Sequence, residues 1–466
     1  MRSIDSPPIH RLRTVIVVIV VIGFAAVIFA WVRGSAPVVT AVDLPAAVGQ
    51  HKLVTIRVQA PDGVATVRAF YRQNGTTIEL GSQTLSTYRW FTTGAAPQVV
   101  DFAVQAGKLD HAGLSDGAAT LVVEATTADL RGAKTTFSRD LSIQSTPPRV
   151  YSLSTQHYIN QGGAEMVVYH VSKDATAAIN SGVEMAGVFF KGYPLPNASA
   201  PGTMFAMFAY PWDAPADAEP HLVARDAAGN QAEASFPVKT FPKTFRERTL
   251  NIDDNFIERV VMPIIANTPS LKDQHDPEKN FLLVNRDLRR TDTQQLVDAA
   301  QLTAAQFFWH GAFQQLGNSQ VEAAFADRRA YLYHGQIIDH ETHLGYDLAA
   351  VRHTPVKAAN AGRVIWAKYF GIYGNCILID HGYGLMSLYA HLNDFQVKAG
   401  DLVAQGQLIA HSDSTGLAGG DHLHFSMLLD GVQVNPVEWW DPHWIQGHIT
   451  SKIQQFTAPA TASLAR

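Results

Sequence analysis

Histidine is the residue type in this chain whose placement could do chemistry. The 466 residues contain 19 histidines, and nine of them (334, 340, 343, 353, 381, 391, 411, 422 and 424) fall between 334 and 424, where even spreading would put about four. His422-Leu-His424 opens the apolar stretch HLHFSMLL, which reads as a strand. Residues two apart on a strand share a face, so both imidazoles point the same way. MSLYAH at 386–391 reads alike and aims Tyr389 and His391 together. His343 and Asp347 stand four apart. A helix would put them on one face, but Gly345 and the LGYDLA context favour a turn entering a strand. Two imidazoles and one carboxylate are a ligand set of catalytic zinc, with the fourth position left for water. The other histidines are then free for proton transfer near neutral pH. His340-Glu-Thr-His343 has the wrong spacing for a helical HExxH site. Each element alone is unspecific, since an HxH pair occurs by chance in many strands. The ordered set HxxxD, YAHL and HLHF, with glycine-punctuated strands between, is not. The single cysteine, Cys376, excludes a disulfide framework or a Cys-rich metal site and reads as a small buried hydrophobe in NCILID.

These residues must be positioned by a folded chain of about three domains. Apolar residues make up 47% and charged residues 17%, which excludes disorder over most of the length. Net charge is −5 and no block of Lys or Arg occurs, so there is no basic face for a nucleic-acid partner. Residues 14–32, TVIVVIVVIGFAAVIFAWV, are 19 positions without a charge. At 1.5 Å per residue that is about the thickness of a bilayer core. Arg33 follows at once, and cutting after Ala36 would leave Pro37 as the first residue, so the run reads as an uncleaved anchor rather than a signal peptide. Arg2, Arg11 and Arg13 precede it and only Arg33 closely follows, which places 1–13 as a cytoplasmic tail, 14–32 as a transmembrane anchor and 34–466 outside.

Short alternating strands fill the middle of the chain. KLVTIRVQA at 52–60, Val64–Arg72 and Ala119–Ala125 suggest one β-sandwich over 36–146. Thr146-Pro147-Pro148 breaks the pattern. Met166–Val171, Met185–Phe190 and His221–Arg225, with the turn 226–230, suggest a second over 147–242. VARDAAGN at 223–230 resembles the strand–turn ending of bacterial immunoglobulin-like modules. Over 243–305 the period changes: Phe256, Val260 and Ile264 recur every four residues after the possible caps Asp253 and Asp254, Pro263 should end or kink that helix, and Gln294–Ala305 is a second helix with Thr291 or Thr293 as its cap. This segment reads as a helical connector or a lid, and a lid predicts that deleting 34–305 raises activity.

Residues 306–445 resemble a lysostaphin/LytM-type zinc endopeptidase domain. The likeness runs through Phe325-x-x-Arg328-Arg329, His343-x-Gly345-x-Asp347, Gly374-Asn375, Ile379-Asp-His381-Gly382, Tyr389-Ala-His391-Leu392, Ser414-Thr-Gly416 and His422-Leu-His424-Phe425. The resemblance implies that His343, Asp347 and His424 bind Zn2+ and that His391 and His422 assist catalysis; which imidazole is the base stays open. It gives His381 a structural hydrogen bond, leaves His334, His340, His353 and His411 to rim or surface, and lets Asn375 and Tyr389 line the groove. The expected fold class is mainly β: an N-terminal transmembrane helix, two immunoglobulin-like β-sandwich domains, a short helical connector, and a C-terminal LytM-like antiparallel β-sheet (duplicated hybrid motif) domain, followed by a tail at 446–466. The implied function is a zinc metalloendopeptidase on the bacterial inner membrane, facing the periplasm and hydrolysing peptide cross-links between peptidoglycan stem peptides. The anchor, without any wall-binding repeat, points to a D-Ala-linked bond. The alternatives are a non-hydrolytic LytM-like module that activates a cell-wall amidase, whose relatives lack zinc ligands where this chain lacks none, or an envelope scaffold.

Overall fold

Strands are the main regular element of this chain, and those with one face covered alternate apolar and polar residues. The computed structural model describes residues 9–33, 35–85, 98–129, 131–172 and 180–458, which divide into two compact units: 1–147 with 225–231, and 148–224 with 232–466. In the first unit Leu53–Gln59 buries Val54, Ile56 and Val58 and turns the residues between them outward. A three-stranded sheet (Val38–Ala41, Leu53–Gln59, Val99–Gln105) and a five-stranded sheet (Ala47–Val48, Lys134–Ile143, Gly117–Thr127, Val64–Gln73, Thr76–Thr84) enclose one core. The turn at 226–230 belongs to this unit because Asn230 accepts from the Gln50 amide at 2.8 Å and donates to Gln144 O at 2.7 Å.

An α-helix runs from Ile9 to Arg33, with Val15 to Ile22, Phe24, Val27 and Ile28 exposed. Its side chains are described over 13–28, and among the described residues no helix is long and apolar enough to cross a membrane. The span expected at 14–32 is therefore not met within them; Arg2 lies outside them, as do the side chains of Arg11 and Arg33.

The second unit starts with two four-stranded sheets, one ordered Tyr193–Pro194, Thr203–Ala209, Ala164–Val171, Val150–Ser152, the other Val188–Lys191, Asn180–Met185, His221–Arg225, Gln231–Ser235. The single strand expected over 185–190 is instead a hairpin. Ala186 (φ 50°) and Gly187 (φ 79°) are both left-handed, the signature of a two-residue turn whose twist matches the flanking strands.

The helical segment also differs from expectation. Asp253 caps its first helix by accepting from Phe256 N, but Pro263 does not end it: a π-helical turn, Ile257–Val261, in which Met262 N donates to Ile257 O five residues back, carries the helix on through Met262–Asn267. The second helix starts at Pro277, not 294. Asp276 is its cap, and Pro277–Leu282, Leu283–Leu288 and Arg289–Ala300 run on continuously. Thr291 and Thr293 donate to carbonyls four residues back inside it, which is why they are not caps.

Beyond it, seven strands form an antiparallel path: Gln320–Ala323, Tyr346–Ala349, Leu423–Leu429, Leu385–Ala390, Asn375–Gly382, Gly362–Tyr369, Leu402–Val403, with Val432–Val434 added to Leu423–Leu429. A smaller sheet, Glu247–Ile252, Asp327–Tyr333 and Gln336–His343, stands beside it. The large sheet is buried on both faces. One packs against the 148–242 sandwich, where Phe205 meets Phe307 at 5.5 Å and Tyr383 at 5.0 Å. The other packs Leu378, Met386, Leu388 and Leu428 against Ile257, Val261, Ile264, Phe281 and Leu288 of the helices. The expected tail is in part a helix: Pro442–Ile445, Gln446–Thr450 and Ser451–Phe456 return to the sandwich, where buried Lys452 donates to Glu165 Oε1 at 2.7 Å. Burying the apolar faces of these turns and satisfying Glu165 hold it there; residues 459–466 lie outside the description.

Candidate metal centre

Strand register assembles the centre. Asp347 lies directly opposite His424 on the neighbouring strand, so the two side chains share a face. His343 is the last residue of Gln336–His343, and the Leu344-Gly345 corner swings the chain into Tyr346–Ala349. A Cβ at position 345 would stand 2.6 Å from the His424 ring and from Ser426 Oγ, so only glycine lets the corner pass. Three atoms converge: His343 Nε2 is 2.8 Å and His424 Nδ1 3.0 Å from Asp347 Oδ1, and the two nitrogens are 3.0 Å apart. His422 Nε2 stands 3.4 Å from the same oxygen.

The outer nitrogens settle where the protons are. His343 Nδ1 donates to Ala324 O at 3.0 Å, His391 Nδ1 to Thr415 O at 2.7 Å and His422 Nδ1 to Gly420 O at 2.8 Å. A carbonyl only accepts, so those nitrogens carry the hydrogens. Ser426 gives its hydroxyl to Leu344 O at 2.7 Å and so accepts from His424 Nε2 at 2.9 Å. With those hydrogens on the outer nitrogens, each ring keeps its inner nitrogen for a proton or a cation. Around Asp347, lone pairs faced at 2.8–3.4 Å repel unless a proton or a cation lies among them. The donor set fits zinc: at ligand distances of 2.0–2.2 Å a tetrahedral ion needs ligand edges of about 3.3–3.6 Å, roughly half an ångström wider than the triangle observed. Each ligand nitrogen is oriented by an acceptor behind its ring, the usual support of a metal-binding imidazole.

The electrostatics agree. Burial opposes ionisation of Asp347, but His343, His422 and His424 outweigh it and hold the carboxyl well below its usual range. Burial pushes His424 down to about 4, and burial with the neighbouring His422 and His424 holds His391 well below an ordinary histidine. His422 is raised: burial works against it, and the hydrogen bond and charge of Asp347 prevail.

A cavity of about 340 Å³ covers the group, lined by Asp347, His343, His391, His422, His424, Tyr373 and Arg329 and walled by Leu250, Ile252 and Phe256. A larger cavity of about 740 Å³ shares His343, His424, Tyr373, Arg289 and Arg329. The wall residues come from the segment read as a connector, and nothing in their sequence marked them. Ser426 was findable, since it lies two residues after His424 on the same strand face.

The five candidate residues come together; two expected neighbours do not. His391 follows the end of Leu385–Ala390 in a left-handed conformation (φ 59°), which turns it away from the strand's alternation. Tyr389 consequently lies on the opposite face, its hydroxyl accepting from Ala359 N at 2.7 Å, beside Leu423 and Phe425. Asn375 donates to Leu392 O at 3.0 Å and lines neither cavity at the centre. His381 is fully buried, bonded to Ala361 O at 2.8 Å and Ser387 Oγ at 2.7 Å, and burial lowers it to about 4. His340 lines the larger cavity, His334 is exposed beside Asp254 and His411 pairs with Asp394. Exposed His353 groups with Asp413 and Asp421 at the surface. Cys376 is buried in the sheet, and burial raises its thiol pKa.

Residues 341–436 match the model of Peptidase family M23, so the C-terminal part carries a peptidase M23 domain of the LytM type. The chain is 41% identical over 95 residues to the DD-carboxypeptidase/endopeptidase Mpg of Neisseria meningitidis, covering 20% of this chain and 22% of that one. It is 37% identical over 117 residues to the peptidoglycan DD-endopeptidase ShyC of Vibrio cholerae, covering 25% and 26%. Among solved structures, the lysostaphin catalytic domain from Staphylococcus simulans matches at 27% identity and a TM-score of 0.24, over 28% of this chain and 98% of that one. The chain thus spans about a quarter of the length of these curated relatives.

Proposed function

We propose that this chain, with a peptidase M23 domain at residues 341–436, is a zinc-dependent endopeptidase that hydrolyses peptide cross-links of bacterial peptidoglycan. The carrying observation is that His343, His424 and His422 set ring nitrogens 2.8–3.4 Å from Asp347 Oδ1, with His391 lining the same cleft. His343 Nε2, Asp347 Oδ1 and His424 Nδ1 would hold the metal. Bound zinc supplies a water with a pKa near 7 and a Lewis acid for the scissile carbonyl. His391 and His422 are the two rings left over, each steered by a backbone carbonyl at Nδ1 so that Nε2 is free. One would take the proton of the attacking water and hand it to the departing amine as the C–N bond breaks, and the other would steady the tetrahedral oxyanion through a proton on its Nε2. The apolar wall of Leu250, Ile252 and Phe256 keeps bulk water from the reacting atoms.

The Vibrio cholerae relative is named a peptidoglycan DD-endopeptidase, and the same substrate class is proposed here. A non-hydrolytic activator has no use for five filled positions. The exposed apolar side chains from Val15 to Ile28 support the further reading that residues 14–32 anchor the chain in an inner membrane, with 34–466 in the periplasm. The deciding experiment is digestion of purified sacculi by the zinc-loaded chain, followed by separation of the products. Cross-linked fragments should convert to monomers, a chelator should stop this and zinc should restore it. An unchanged fragment profile with zinc-loaded protein would remove the reading.

A further inference from the structure

Asp347 offers only one oxygen to the centre. Its Oδ1 meets the imidazoles, while Oδ2 accepts from Arg329 Nη2 at 3.1 Å, and no other donor among the described residues reaches Oδ2. Arg329 lies on the small sheet, in Asp327–Tyr333, whereas Asp347 lies on the large one, so this contact joins the two sheets beside the His343–Asp347–His424 group. The strand pairing offers Arg329 a nearer carboxylate: Glu341 is directly opposite, yet Glu341 pairs with Arg289 at 3.7 Å. On the other side Arg329 is in register with Arg248, a like charge that disfavours the pair. Arg248 is drawn aside to Glu322 O at 3.1 Å. Arg329 Nε, moreover, is buried with no hydrogen-bond partner among the described residues. An arginine placed for stability would satisfy that group. This one forgoes an adjacent partner and leaves a buried donor unused, and what it gains is the far oxygen of Asp347.

We propose that Arg329 is a positioning residue of the metal centre: its guanidinium fixes the rotamer of Asp347 so that Oδ1 alone is presented to the ion. This rests on the zinc reading above. A guanidinium near a dication acts in two opposite ways, since its charge repels the ion while its hydrogen bond orients the ligand. In a buried site whose carboxylate has no other support, orientation prevails, and loss of such a supporting partner costs about 10–100-fold in metal affinity.

The test is zinc affinity of the full chain by chelator competition without substrate, together with the absorption spectrum of the cobalt-substituted protein. Arg329→Ala should weaken zinc binding about 10–100-fold and change the cobalt spectrum. Arg329→Lys, which keeps the charge but not the planar fork, should fall between parent and alanine variant. Unchanged or tighter zinc binding in Arg329→Ala overturns the proposal. If melting of the metal-free protein shows that Arg329→Ala does not fold, Arg329→Lys and Arg329→Gln decide: weakened binding with altered spectra supports it, and parent affinity with parent spectra overturns it. A parent chain that binds no zinc refutes the zinc reading, whereas a variant with parent affinity refutes only this one. Neither result depends on which bond the chain cuts.

Discussion

Cutting the chain before residue 306 should destroy the C-terminal domain rather than release it. The large sheet is covered on one face by the helical segment. Ile252, Ile257, Val261, Ile264, Ile265, Phe281, Val284, Leu288 and Leu296 are all buried there against Cys376, Leu378, Met386, Leu388, Ala390 and Leu428. Burying one large apolar side chain is worth about 1.5–3 kcal/mol, so these nine contribute roughly 20 kcal/mol gross. That exceeds the net stability of about 5–15 kcal/mol typical of a domain. The same cut strips the other face of Tyr193, Phe205 and Phe208. A fragment 306–466 should therefore be insoluble, or soluble without cooperative melting and without near-ultraviolet circular dichroism. A lid would behave in the opposite way, leaving a folded and faster enzyme. The assay is soluble yield, thermal melting with excess zinc, and cell-wall turnover per molecule. A soluble fragment that melts cooperatively and digests cell wall at or above the parent rate would refute the reasoning.

Alanine at His343 or His424 should remove zinc and activity together, as measured by metal mass spectrometry beside turnover. His391→Ala should keep near one equivalent of zinc while turnover falls about 10²–10⁴-fold, the usual contribution of a general acid or base; loss of metal, or parent turnover, would end that division of roles. Glu438 is buried where it accepts from Ala164 N at 2.8 Å, and burial raises its carboxyl from 4.5 to about 7. A raised folded pKa means stability that is complete below about pH 4.5 and is lost as pH rises through about 7, by about 3 kcal/mol at most. Glu438→Gln should accordingly gain melting temperature relative to the parent between pH 5 and pH 8, and a flat difference would contradict this. A reporter active only in the cytoplasm, fused after Arg466, should be silent if residues 14–32 anchor the chain with its body outside.

That His422 and His424 share a face, and that a corner precedes Asp347 at Gly345, was legible in the sequence because both depend on local geometry: period two along a strand and a glycine that permits one corner. That Asp347 lies opposite His424 was implied only by the family resemblance, and long-range strand pairing decides it. The period-two rule misplaced Tyr389, since a single left-handed residue at His391 breaks the alternation and no residue type announces it. One helix end was misread where a π-helical turn absorbed Pro263, and one helix start where Asp276 capped a helix earlier than its apolar period showed. By itself the sequence determined what chemistry these side-chain types allow. It also determined that the central strands are covered on both faces, since LMSLYA and LHFSMLL run apolar without alternation and are buried throughout. What covers those faces was decided only by tertiary structure. A continuous apolar run asks for cover from any apolar surface, and the choice of the sandwich for one face and the 243–305 helices for the other lies in long-range shape complementarity. The same packing carried Leu250, Ile252 and Phe256 to the rim of the centre and set Arg329 against Asp347.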